Sequence, residues 1–498
     1  MYQLYRDRPL LVLAMILANI LLSAWCIYVD PVINNDGVTY LAIADVFTQG
    51  EWSKAFSYYS WPFYSLFIAA TSKLLFVEVE TAAYILNTFF ITSLTLAFVC
   101  IVAELSKNNR RIILIALVVV LLFPSISKYR SFIIRDFGYL SCYLWSLYFI
   151  FRFCSTLDKK HLVGWISFAI LSCLFRFEGI AFLLIAPYFL ILFTADQMPH
   201  RKKVLSGLSL AITLISVALL YWYLNDKYNA LIEIAKLKGE DINGLSDLFF
   251  SNLRERFGED AAYLSVVTTN LFNVGYELVR RMAVFYFVFA IVAYLRDWAL
   301  TTRLLKRVWL VFIVTNLVVL AVFSLYNSFL VSRYTMATAL TMLILAPFAI
   351  DKLWLAFKNK QLQTRHATVF AFILLALASL NGLNVGTTKT YLKDAGLWMK
   401  ANIPNNSSIY SNNKLLVHYS SLDPQGTLTQ LYSDDQMLQF IKTKQIDSFD
   451  YVALDSNISS TLKDVIRQTL QFKYGRSLQT FNGEDGDSMF IFEVPKAQ

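Results

Sequence analysis

"WPFYSLFIAATSKLLF", residues 61–76, is apolar enough to enter a membrane and short enough to lie along its surface. Crossing a hydrocarbon core of about 30 Å takes about 20 helical residues. If this stretch crosses, every later segment changes sides, so its reading decides the architecture. Charge settles the question. With 61–76 not crossing, the loops "ELSKNNRR", "RFCSTLDKKH", "DQMPHRKK", "RDWALTTRLLKR" and "DKLWLAFKNKQLQTRH" fall on the side of Arg6 and Arg8. Each holds three or four Lys or Arg, so together they obey the positive-inside rule. With the stretch crossing, all five loops break it. Residues 61–76 therefore read as a helix at the outer interface, with Trp52, Tyr58, Tyr59 and Trp61 as belt residues.

Working outward, the apolar runs are about 9–29, 82–103, 112–124, 137–151, 162–175, 179–195, 204–224, 282–295, 308–325, 335–350 and 367–383. The fold class expected is a polytopic α-helical membrane protein of about 11 spans with a small C-terminal α/β domain. The N-terminus is placed in the cytoplasm and the segment after residue 383 outside. Residues 1–383 form the transmembrane module, with outer loops at about 30–61 and 225–281. Residues 384–498 turn polar, with "YLKDAGLWMKANIP" as a helix and "FDYVALD" and "MFIFEV" as strands.

Composition agrees. Of 498 residues 57% are hydrophobic and 16% aromatic, among them 40 Phe and 28 Tyr, and the mean hydropathy is +0.51. The net charge of +9 comes from short loops between apolar runs rather than a basic stripe, which excludes nucleic acid as a partner. "MYQLYRDRPL" leads into a full-length span without a small-residue cleavage site, so no cleavable signal peptide is expected. The five cysteines, Cys26, Cys100, Cys142, Cys154 and Cys173, lie in or beside apolar runs and show no metal spacing. No phosphate-binding glycine loop, dinucleotide fingerprint or zinc-protease motif is present, which removes a standard nucleotide-driven pump.

Polar residues on the outer side run against the charge bias and call for another reason. Asp36 precedes the periodic segment "GVTYLAIADVFTQ" ended by Gly50; it is either a helix N-cap or a general base at the membrane boundary, and the two roles are compatible. Asp136 opens the fourth run. Its neighbours Lys128, Arg130 and Arg135 form a dense cationic stretch suited to a phosphate. Arg176 and Glu178, in "FRFEG", are either a structural ion pair at a turn or part of a binding site. Arg333, in "SRYTM", either snorkels to the interface or faces a ligand. His161, His200 and His366 fall on the cytoplasmic side and only His418 outside. An outer metal site would thus rest on carboxylates such as Asp36 and Asp136 and favour Mg or Mn. The asparagine sequons of the tail are decorative if the organism is bacterial.

The order of these features carries a resemblance: a first span, "DGVTY" heading an interfacial helix, "WPFYSLFIAA", then "SKYRSFIIRD", "RFEGIAFLLIAPY" and "SRYTMATALTMLILAP". The chain resembles the GT-C superfamily of integral-membrane glycosyltransferases, nearest the bacterial aminoarabinose-transferase and protein-mannosyltransferase-like enzymes. The resemblance covers about residues 1–400, and the tail is similar to their periplasmic domain. It implies a bacterial inner-membrane enzyme that moves a sugar from a polyprenyl-phosphate donor to a lipid, glycan or protein acceptor on the outer face. By position, Asp36 matches the proposed base, Asp136 the second acidic site, and Arg333 with Tyr334 the Arg-Tyr pair near the donor phosphate. Tyr40, Trp61, Lys128, Arg130, Arg135, Arg176 and Glu178 complete the expected substrate-binding set. Where aminoarabinose-type relatives carry Glu-Lys before the interfacial proline, this chain reads Ser60-Trp61-Pro62, which puts a metal ligand and a phosphate-binding lysine in question.

A polyprenyl phosphate is already a good leaving group. The chemistry then needs cations for the departing phosphate and one carboxylate to take the acceptor's proton. A single displacement inverts the anomeric centre. Two alternatives are a polysaccharide polymerase or ligase and a lipid-linked-sugar flippase or transporter. A transporter would carry mid-span ionisable residues and inverted repeats, and the spans here are nearly free of charge.

Overall fold

The computed structural model describes residues 8–156, 158–183, 259–300, 302–327, 330–359, 389–422, 434–456, 461–483 and 486–495. The expected spans 204–224 and 367–383, most of 179–195, the start of the 225–281 loop, His200 and His366 lie outside the described residues.

The protein is mostly helical and built to sit in a membrane. Among the described residues, four helices are long and apolar enough to cross: Pro9–Val29, Val79–Leu105, Arg110–Ser127 and Arg303–Leu325. Two bent pairs raise the number to up to six: Leu264–Arg281 with Phe285–Leu295 at 97°, and Ser332–Leu343 with Ala346–Lys358 at 48°. The Phe63–Leu75 helix has 13 residues, about 20 Å of rise, too short to cross upright. This length suits an interfacial helix.

The chain gathers into two compact units, interleaved along the sequence. The first takes Met1–Ile16, Thr92–Ser127 and Asp136–Gly382; the second takes Leu17–Ile91, Lys128–Arg135 and Leu383–Gln498.

In the first unit, Asp136–Thr156 and Lys159–Phe175 form a helical hairpin. Asp158 caps the second helix by accepting from the Lys160 amide at 3.0 Å. A Cβ at Gly138 would fall 2.5 Å from the Phe175 ring, so only glycine allows the helix ends to come this close. That contact brings residue 176 beside residue 136. The outer loop expected over 225–281 is helical in its last third, Glu259–Arg281. Its buried Asn270, Val274, Glu277 and Leu278 recur at i, i+4, i+7 and i+8. One stripe faces the protein while the mean composition stays polar, so no apolar run marks it. The chain then turns through Ala283 and Val284, both at positive φ (49° and 45°).

In the second unit, the Asn35–Thr48 helix packs on Phe63–Leu75. The tail carries four strands, β1 (Ile409–Ser411), β2 (Tyr451–Ser456), β3 (Gln479–Asn482) and β4 (Ser488–Glu493), in the order β1-β2-β4-β3. The β1–β2 pair is parallel and the other two are antiparallel. Val452, Ala453 and Leu454 are all fully buried, the pattern of a strand covered on both faces. The Asp434–Lys442 and Thr461–Tyr474 helices seal one face over Val452, Leu454 and Phe492, and Thr390–Asn402 packs on β3 and β4. The tail is tied to the juxtamembrane loop of its own unit. Lys393 Nζ donates to the Pro31 carbonyl at 3.1 Å, and the Ile33 amide donates to Tyr419 Oη at 3.0 Å.

Candidate functional site

The first unit holds a small, partly open cleft where four separated segments meet. Asp136 is the first residue of its helix, where the N-terminal backbone amides favour a carboxylate. Arg176 follows the end of the partner helix in extended conformation, and Glu178 sits in the one-turn Phe177–Gly179 helix after it. A Cβ at Gly179 would lie 2.6 Å from Ser172 Oγ, so glycine permits that tight turn. Arg333 and Tyr334 come from the Ser332–Thr335 turn.

Arg176 is consumed by these neighbours. Its side chain is 6% exposed. Nη1 donates to Asp136 Oδ1, Nη2 to Glu178 Oε1, and Nε to Glu178 Oε2 at 3.2 Å. Its guanidinium carbon lies 3.9 Å from the Tyr334 ring centre and 5.8 Å from that of Tyr139. Both edges and one face are therefore in use, a bidentate arrangement that lysine cannot reproduce. Arg333 stands farther from Asp136. Its Nε is 3.8 Å from Asp136 Oδ2, beyond hydrogen-bond range, and its guanidinium carbon is 5.7 Å from the Tyr334 ring. Two carboxylates and two guanidinium groups leave the cluster formally neutral.

Both Asp136 oxygens face arginines, an environment unlike that of a metal ligand. Among the described residues no group of three His, Cys, Asp or Glu is arranged to hold a metal.

The remaining expected residues lie in the second unit. Asp36 is not the N-cap: Asn34 holds that position, and Asp36 sits one step inside the first turn. Asn34 does not cap with its side chain either, because its Oδ1 accepts from the Ile133 amide at 2.8 Å. Asp36 is half-buried and interacts with Lys414. Burial lowers the Lys414 ammonium pKa, and Asp36 opposes that shift. Tyr40 packs edge-on to Tyr64, centroids 5.0 Å apart, and Trp61 edge-on to Phe63 at 5.2 Å.

The expected cationic cluster is not gathered. Lys128 is exposed, its Nζ 5.7 Å from the Tyr129 ring. Arg130 is buried at 1% exposure and donates through Nη1 to Asn19 Oδ1 and Ser23 Oγ, both at 3.3 Å. Arg135 donates to Tyr59 Oη at 2.5 Å. Their loop is irregular, so closeness in sequence sends the three side chains to three different partners.

Two polar residues of the cleft lining escaped the sequence reading, Tyr139 and Asn316. For Asn316 a signal existed, since an amide in the middle of "FIVTNLVVLAV" interrupts an otherwise apolar run.

No family model matches this sequence, and no curated protein matches it. In fold the chain is similar to the oligosaccharyltransferase of Archaeoglobus fulgidus, solved with a tethered acceptor peptide containing an NVT sequon. The TM-score is 0.52 at 11% identity, covering 100% of this chain and 75% of that one. At such identity the likeness establishes a fold shared with an oligosaccharyltransferase.

Proposed function

We propose that this protein is an inverting membrane glycosyltransferase that moves a sugar from a polyprenyl-phosphate donor to a lipid, glycan or protein acceptor. The observation that supports it best is the convergence of Asp136, Arg176, Glu178, Arg333 and Tyr334, from three separated segments, on one cleft. The shared oligosaccharyltransferase fold is in keeping with that class. In this reading the chain has about 11 spans in a bacterial inner membrane, with the N-terminus cytoplasmic and the 384–498 domain periplasmic.

Arg333 attracts the donor phosphate into the cleft. As the C1–O bond breaks, its electron pair passes to the phosphate oxygen, whose growing charge the guanidinium stabilises. The acceptor oxygen bonds to C1 from the opposite face, and its proton passes to a carboxylate base. Asp36 carries that assignment from the sequence alone, by its match to the proposed base of the family the chain resembles. Polyprenyl phosphate leaves. Both Asp136 oxygens face arginines, so that carboxylate is not assigned a metal in this step.

The deciding experiment supplies the purified protein in nanodiscs with radiolabelled polyprenyl-phosphate sugars and an envelope extract. Label should move from donor to a second species. Retention of label in every donor tried, with the protein folded, would overturn the proposal.

A further inference from the structure

Asn316 lies near the middle of the Arg303–Asn327 helix, 5% exposed, and lines the cleft. Eleven residues separate it from the helix end, about 16 Å along the axis. Val319, Leu320 and Phe323 of the same helix also line the cleft.

Its amide orientation is fixed by its partners. Nδ2 donates to the Phe312 carbonyl and to Tyr143 Oη, both at 2.8 Å. A carbonyl only accepts, so the nitrogen must be the atom that faces it. Thr341 Oγ1 donates to the Ala337 carbonyl at 2.8 Å, so at 2.6 Å it accepts from Tyr143 Oη. Every donor in this chain of hydrogen bonds is spent. What remains is Asn316 Oδ1, an acceptor that none of these hydrogen bonds uses, on a residue that lines the cleft.

From this we infer that Asn316 is a specificity-determining residue that accepts a hydrogen bond from a hydroxyl group of the glycosyl ligand. The inference rests on the glycosyl-donor reading and deepens it. Arg333 selects an anion and Asn316 selects a hydroxyl in the same ligand, both from the lining of one cleft. Tyr143 and Thr341 act as positioning residues, because they hold the amide in the accepting orientation.

The test uses the full chain in nanodiscs and measures dissociation constants for farnesyl-phosphoryl hexoses, each lacking one hydroxyl. One deletion should weaken binding to the unaltered protein by about ten- to hundredfold. Asn316→Leu should bind that deoxy ligand and its parent alike. Tyr143→Phe, which keeps the acceptor but frees the amide, should discriminate less than the unaltered protein and guards against misfolding of the Leu variant. Equal discrimination by the unaltered protein and Asn316→Leu would overturn the inference and return Asn316 to helix–helix packing. So would binding of no phosphoryl hexose. Binding with the expected discrimination but no sugar transfer would leave this inference standing and remove the enzyme reading.

Discussion

Arg176 and Arg333 carry the same charge and line the same cleft, yet their surroundings assign them different work. Arg176 spends its donors on Asp136 and Glu178 and its face on Tyr334. Removing one partner of a buried ionic group leaves the others uncompensated, at about 3–5 kcal/mol. Arg176→Ala should therefore lower the melting temperature sharply. Arg333, whose Nε stands 3.8 Å from Asp136 Oδ2, is the residue assigned to the donor phosphate and should behave in reverse. Arg333→Ala should keep most of its stability and weaken donor binding by about 1.5–3 kcal/mol. Melting curves and donor titrations on both variants check this, and unchanged donor affinity in Arg333→Ala would return that residue to snorkelling. Asp36 admits a cleaner test now that Asn34 holds the N-cap position. Asp36→Asn forfeits the favourable dipole interaction of the first turn, about 0.3–1 kcal/mol, and the attraction to Lys414. As the proton acceptor it should cost about 10²–10⁴-fold in transfer rate. Near-normal transfer by Asp36→Asn would remove the catalytic assignment.

Elements were legible where their pattern is local. The helix read at "YLKDAGLWMKANIP" and the strands read at "FDYVALD" and "MFIFEV" form as Thr390–Asn402, Tyr451–Ser456 and Ser488–Glu493. β1 and β3 did not show, because three or four residues are too few to display an alternation, and pairing with longer neighbours creates them. Glu259–Arg281 stayed hidden because its buried stripe includes Asn270 and Glu277. The Lys414–Ser420 helix of the tail supplies a pH test. Burial, assisted by nearby Lys393, pushes the His418 imidazole down to about 4, against about 6.5 in an unfolded chain. The unfolded state then binds more protons below pH 6.5, so stability is full above that value and falls as pH drops toward 4. The loss from this group approaches about 3 kcal/mol below pH 4. Melting temperature measured from pH 7 to 4 should decline less steeply in His418→Gln, and identical slopes would refute the account.

For the whole molecule, sequence carries the membrane pattern through composition alone, because bilayer thickness imposes long apolar runs whatever the tertiary contacts are. The cleft is another matter. Asp136, Arg176 and Arg333 are separated by 40 and 157 positions, and nothing local marks them as partners; only packing around Gly138 and Gly179 joins the first two. The three cations at 128, 130 and 135 are close in sequence and point to different partners. Side assignment remains a sequence argument, built on five basic loops, and a direct measurement checks it. Lys160 is exposed in one of those loops, at the start of the Lys159–Phe175 helix, and Asn406 is exposed in the turn before β1. Four of the five native cysteines are buried and Cys154 is partly so, so engineered thiols stand out from the background. In intact cells an impermeant thiol reagent should label Asn406→Cys and spare Lys160→Cys until the membrane is opened. The positive-inside assignment requires that difference. Labelling of Lys160→Cys with Asn406→Cys spared before opening would make 61–76 a crossing segment and reverse the sides of every later loop; labelling of both before opening would overturn the span map between them.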